Sequence, residues 1–167
     1  MSDAEIKRLI LARAEELGER LRVLGLTVST AESCTAGGLA DAITDVAGSS
    51  DYFLGGVVAY TNRVKEQLLG VDPRVLAAQG AVSEPVALQM AEGVRRALGT
   101  DVGVGITGIA GPSGGTAEKP VGLVYIAVVT PKGQEARRYL WSGDRIGNKR
   151  RSVLAALEML LEQLVKP

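Results

Sequence analysis

Ser33, Cys34, Tyr60 and Lys65 are the side chains of this sequence whose types and placement suit bond-making chemistry. Ser33 and Cys34 lie in TAESCTAGG, Thr30 to Gly38, a stretch that follows an apolar run and ends in paired glycines. A hydroxyl or thiol nucleophile needs a base, yet the chain contains no histidine. Ser–His–Asp and Cys–His arrangements are therefore excluded, and the proton must go to a lysine, a tyrosine or a carboxylate. A Ser–Lys pair meets that need if burial or nearby positive charge keeps the amine neutral part of the time. Lys65 and Tyr60 flank the exit of a second strand and can face Ser33. The alternative for Lys65 is a solvated helix lysine paired with a carboxylate. Cys34, the one cysteine, reads as a small buried hydrophobe rather than a nucleophile.

Other groups suit an anion. A turn that ends in Gly37 and Gly38 and opens a helix aims N–H groups outward, toward a phosphate or a developing oxyanion. In the competing account the same turn is a helix cap in which Ser33 or Thr35 satisfies orphan donors. GVGITG, Gly103 to Gly108, has the letters of a dinucleotide fingerprint, but a proline-glycine loop follows where that motif requires a helix. It reads instead as a strand with one glycine face, ready for close approach of a backbone or a flat ligand. Thr107 and Gly108 mark its exit into the loop GIAGPSGGTAEKP, a candidate anion nest. Arg145, Lys149, Arg150 and Arg151 crowd the start of the last helix, where the macrodipole disfavours cations. A bound phosphate resolves that conflict, as does a solvated basic face with Asp144 as N-cap.

The elements that position these groups follow from periodicity and punctuation. Ser2 and Glu5 have capping-box spacing ahead of a helix that ends at Gly25. LTVST reads as a strand, GGLADAITDVAG as a helix reaching Gly48, GGVVAY as a second strand and TNRVKEQLLG as a short helix. Ser83-Glu84-Pro85 starts a helix ending at Gly99, and DVGVGIT is a third strand. VGLVYIAVV and EARRYLW form a hairpin, and a helix from about Asp144 to Val165 closes the chain. This order predicts a three-layer α/β/α domain with a mixed, mostly parallel sheet, and one domain over residues 1–167. Ligands of such sheets bind beyond the carboxyl ends of the strands, which groups the loops at 31–38, 61–65 and 108–119.

Bulk composition narrows the class. With 46% hydrophobic residues, 167 residues can bury a core without covalent staples. Nineteen Lys plus Arg balance nineteen Asp plus Glu, so no overall field draws the chain to nucleic acid or an anionic membrane. Absent histidines and a single cysteine argue against a zinc site. The opening MSDAEIKRLI lacks signal-peptide character, and a soluble cytoplasmic protein is expected.

Together, TAESCTAGG, ITDVAGSS, YTNRVKEQLLGV, GAVSEPV, TGIAGPSGGTAEKPVG and SGDR make the chain closely resemble the CinA carboxyl-terminal domain family. Stand-alone members of that family are nicotinamide-nucleotide amidases. The resemblance implies hydrolysis of nicotinamide mononucleotide to nicotinate mononucleotide and ammonia, in pyridine-nucleotide salvage, with no metal or organic cofactor and with a homo-oligomer as the assembly. Carried over by residue, Ser33 is the nucleophile, with Lys65 and Tyr60 around it. Glu32, Thr35, Gly37, Gly38, Asn62, Thr107, Gly108 and Arg145 become candidate substrate contacts, Arg145 with the glycine loop at the phosphate. Glu32 either faces the pyridinium or caps the turn. The oxyanion would be held by amides of Ala36 to Gly38, or by Thr107 and Gly108. Ala36 departs from the glycine that some members carry in this turn. The alternatives are a nucleotide-binding regulatory module of the competence and damage-inducible type, and a serine amidase acting on another small amide.

Overall fold

The computed structural model describes residues 1–165. Its elements in chain order are α1 (Asp3–Leu24), β1 (Val28–Glu32), α2 (Gly38–Thr44), a 3-10 turn (Ser49–Asp51), β2 (Phe53–Val58), α3 (Asn62–Leu69), α4 (Pro73–Gln79), α5 (Glu84–Leu98), β3 (Val102–Gly108), β4 (Leu123–Thr130), β5 (Gly133–Leu140) and α6 (Arg145–Val165). The Ser2–Glu5 capping box opens α1, and Gly25, at φ 65°, closes it.

The strands form one sheet in the order β2-β1-β3-β4-β5. β1 pairs in parallel with both β2 and β3, and β4 is antiparallel to β3 and β5. Only β4 therefore runs against the others, which gives the expected mixed, mostly parallel sheet. The residues of β1, β3 and β4 alternate between two faces. Val28, Val104, Ile106, Val124 and Ile126 pack with α1, α2 and α6. Ala31 on the other face packs with α3, α4 and α5, through Leu69, Leu76, Val86, Met90 and Val94. The glycine face of β3 admits a backbone, not a flat ligand: a Cβ on Gly103 or Gly105 would lie 2.1 or 2.3 Å from a carbonyl oxygen of α5.

Two elements differ from the sequence reading. α2 stops at Thr44 rather than Gly48; the Ala47 and Gly48 carbonyls accept from the Arg22 guanidinium, and Gly48 turns at φ 79°. α4 has too few turns to declare itself by periodicity, and Asp72 caps it by accepting from the Arg74 N–H at 2.8 Å, ahead of Pro73.

From β1 the chain crosses through α2 to β2 on one side, then returns through α3, α4 and α5 to β3 on the other. The connections thus diverge at β1. That switch point opens a crevice beyond the carboxyl ends of β1 and β3.

Candidate active site

β1 reaches Glu32, two residues further than its β-branched core suggests, and the Ser33 N–H continues the ladder by donating to the Ile106 carbonyl at 2.9 Å. Glu32 and Ser33 therefore project to opposite faces. Ser33 faces α3, where Lys65 lies within the first two turns. Thr61 caps that helix, its hydroxyl accepting from the Val64 N–H at 3.3 Å, and so sets the position of Lys65.

Lys65 Nζ lies 3.1 Å from Ser33 Oγ and donates to the carbonyls of Ala59 at 2.9 Å and Tyr60 at 3.3 Å. Lys65 is 1% exposed and Ser33 7%, and no carboxylate pairs with the amine among the described residues. Burial without a counter-charge holds the ammonium below its ordinary value of 10.5. The solvated, ion-paired alternative for Lys65 is thereby removed. A neutral amine at this distance can take the Ser33 proton, with its hydrogens fixed by the two carbonyls.

The cavity around this pair holds about 180 Å3 and is lined by Tyr60, Asn62, Thr107, Gly108 and Arg145, with Cys34, Ala81, Val82 and Ala110 completing the wall. Burial pushes the Cys34 thiol up to about 12, which leaves it protonated beside the serine. Thr107 donates its hydroxyl to the Ala81 carbonyl at 2.9 Å, so its side chain fixes the wall. The link between Tyr60 and Lys65 runs through the Tyr60 main-chain carbonyl. The phenol stands at the rim, where Arg145 donates to its oxygen at 3.3 Å and to the Gly111 carbonyl at 2.7 Å.

Four expected contacts lie elsewhere. Glu32, 1% exposed, accepts from the N–H groups of Leu39 and Ala40 at 2.8 and 3.0 Å, so it caps the start of α2. Thr35, Gly37 and Gly38 line a separate cavity of about 690 Å3 on the α2 side, with Lys7, Asp41 and Lys149. Two of the three turn amides named for an oxyanion are occupied, Ala36 donating to the Ser33 carbonyl at 3.1 Å and Gly38 to that of Thr35 at 3.0 Å, and Gly37 lines the α2-side cavity.

The basic block divides because successive helix residues step by about 100°. Arg145 joins the small cavity and Lys149 the large one, Arg150 pairs with Asp3, and Arg151 lies against Gly143 and Gly147. The sequence reading missed Asn148. It is 1% exposed, donates to the Ala110 carbonyl at 3.1 Å and accepts from the Gly143 N–H at 3.0 Å. An asparagine on an inward helix stripe was the available signal. Among the described residues no group of three or more His, Cys, Asp or Glu is placed to hold a metal, and no helix is long and apolar enough to cross a membrane.

The family model for the CinA C-terminal domain matches residues 11–164. The nicotinamide-nucleotide amidohydrolase PncC of Escherichia coli is 46% identical over 167 residues, covering 99% of each chain. A CinA-like protein of Synechocystis is 54% identical over 147 residues, which are 88% of this chain and 35% of that protein. The chain thus spans about a third of the length of several CinA-like relatives it matches. The crystal structure of the competence/damage inducible protein CihA from Agrobacterium tumefaciens superposes with a TM-score of 0.91 at 42% identity, covering 95% of this chain and 96% of that one. The family model, the relatives and the superposed structure agree: the chain belongs to the CinA C-terminal domain family.

Proposed function

We propose that this chain hydrolyses the carboxamide of nicotinamide mononucleotide, releasing ammonia and nicotinate mononucleotide, with Ser33 as nucleophile and Lys65 as general base. The observation that carries the reading is the buried, unpaired Lys65 amine 3.1 Å from Ser33 Oγ. The full-length likeness to PncC supplies the substrate.

In the first half-reaction neutral Lys65 accepts the Ser33 proton as Oγ bonds to the amide carbon and the carbonyl pair moves onto oxygen. As that intermediate collapses the C–N bond breaks, and Lys65 returns the proton to the departing nitrogen, which leaves as ammonia. Water then gives a proton to the same amine and attacks the acyl ester. The acyl–Oγ bond breaks, Ser33 regains its proton, and the carboxylate product departs.

With the Ala36 and Gly38 amides occupied and Gly37 lining the α2-side cavity instead of the one around Ser33, the oxyanion falls to Gly108. The Ile106 carbonyl accepts from Ser33 and the Ile109 N–H donates to Leu123. Alternation along β3 then turns the intervening Gly108 N–H toward Ser33. That donor serves where charge develops. Arg145, at the rim between Tyr60 and the glycine loop, takes the 5′-phosphate and contributes binding energy remote from the amide. Asn62 lines the approach.

Ammonia release from nicotinamide mononucleotide tests the reading. Wild type turns over, and Ser33→Ala loses about 10⁴-fold or more in kcat. Turnover that survives Ser33→Ala removes the nucleophile. Binding without turnover by the wild type leaves a nucleotide-binding module instead.

A further inference from the structure

Asn148 lies outside the cavity that holds Ser33 and Lys65, yet one side chain ties together three segments meeting at its rim. It is the fourth residue of α6. Asp144 caps that helix, its carboxylate accepting from the Gly147 N–H at 2.7 Å and its carbonyl from the Asn148 N–H at 2.8 Å. From there the Asn148 amide donates to the Ala110 carbonyl, in the loop after β3, at 3.1 Å. Its oxygen accepts from the Gly143 N–H, in the connection after β5, at 3.0 Å. The two partners have opposite chemistry, an acceptor and a donor, so the amide has one satisfied orientation. Behind it, Ser152 Oγ donates to the Asn148 carbonyl at 2.8 Å and accepts from the Trp141 indole at 2.9 Å. Asn148 and Ser152 are at most 1% exposed, and they form a polar stripe in an otherwise apolar helix face.

The residue after Ala110 is Gly111, whose carbonyl holds the Arg145 guanidinium at 2.7 Å. Arg145 therefore has both ends of its reach set by the same pin. Its backbone starts the helix that Asn148 locks to the loop, and its guanidinium rests on the loop that Asn148 holds. Buried and satisfied polar links of this kind specify a single arrangement of the parts they join.

We infer that Asn148 is a positioning residue for anion recognition: it holds α6 and the glycine loop at the separation that lets Arg145 meet the phosphate of the substrate. This rests on the amidase reading above. Asn148 touches neither Ser33 nor Lys65; although its acceptor Ala110 stands in the wall of their cavity, the effect expected is on phosphate-bearing substrates, through Arg145.

The experiment is a double-mutant cycle read as kcat and KM on two amides, nicotinamide mononucleotide and the unphosphorylated nicotinamide riboside. Asn148→Ala raises KM for the mononucleotide about tenfold or more, in line with the sensitivity of bound substrates to small misplacement of a positioning group. Its kcat stays within about threefold, and KM for the riboside does not move. In an Arg145→Ala background the second substitution adds nothing, because the two act as one unit. Asn148→Asp keeps the shape and the bond from Gly143 but loses the donor to Ala110, and it shifts KM in the same direction should the alanine variant not fold. Trp141, the single tryptophan of the chain, reports folding by its fluorescence. An equal KM rise on both amides, an additive loss in the Arg145→Ala background, or an unchanged KM overturns the inference. A wild type that releases no ammonia from either amide fails the amidase reading itself, a different pattern, and the inference falls with it.

Discussion

The two sides of the turn after β1 are built from neighbouring residues and do opposite things. On the α3 side, Ser33 meets an amine whose pKa burial lowers. On the α2 side, Glu32 is an acceptor engaged by two helix amides, and the adjoining turn closes its Ala36 and Gly38 N–H groups on itself. The α2 side holds the larger cavity, about 690 Å3 against about 180 Å3. Size is thus a poor guide to chemistry here. Hydrogen-bond accounting separates the sides: one has a buried amine against a hydroxyl, while on the other the Glu32 carboxylate is spent on structure and the buried Thr35 hydroxyl is left without a partner.

Removing the base tests that contrast most severely. Lys65→Met should cost about 10²- to 10⁴-fold in kcat, the range that a positioned general base contributes. In the wild type, kcat/KM rises with pH as the amine loses its proton, along a limb below the ordinary lysine value of 10.5. The linked stability has the same sign. The folded chain releases this proton at lower pH than the unfolded chain does, so between the two values the unfolded state binds more protons and stability increases with pH. Both trends should vanish in Lys65→Met, in a pH–rate profile and in denaturant titrations across the same range. A surviving activity limb assigns the proton to another group.

Glu32→Gln probes the other side. The amide retains one acceptor and turns an NH2 toward a second helix N–H, so stability should fall by about 1–3 kcal/mol, the cost of leaving a buried donor unmet. kcat should stay within about tenfold, measured on folded protein. A collapse like that of Lys65→Met would merge the two sides into one site. A smaller effect is expected at Ala36, which holds φ 49° in the left-handed region. Ala36→Gly removes that strain, partly offset by a more flexible unfolded chain, and should stabilise by about 0.5–1 kcal/mol. At this chain length that is a rise of about 1–4 °C in Tm, with kcat unchanged.

Much of this was readable without coordinates, and the misses have physical causes. The helix caps at Ser2 and Ser83, the glycine stops and the late hairpin are local signals, and each marks its element within a few residues. The meeting of Ser33 and Lys65 was legible because a missing imidazole leaves few bases and strand exits converge at a switch point, whereas Arg145 was singled out from its basic block only through the family resemblance. The division of Glu32 from Ser33 follows from strand alternation, but only once β1 is known to continue through Glu32, and the bond that extends it comes from Ile106 on another strand. The basic block reads as one patch in a line of letters and as four directions on a helix. Asn148 was hidden for the same reason: its acceptor Ala110 is 38 residues away.

The smallest effect is expected at the group that looks most reactive on paper. Cys34 adjoins the proposed nucleophile and lines the same cavity, so a thiol mechanism would use the same walls as a serine mechanism. Burial pushes its pKa up to about 12, which at pH 8 leaves a thiolate fraction of only ~10⁻⁴, against roughly a quarter for an unperturbed thiol. Iodoacetamide at pH 8 should therefore leave the folded chain unlabelled and active, while the denatured chain takes up one equivalent, as read by mass spectrometry. Cys34→Ala should keep kcat within about twofold. Rapid labelling of the folded chain, matched in rate by loss of ammonia release, would transfer the chemistry from Ser33 to its neighbour and dissolve the distinction between the two sides of the turn.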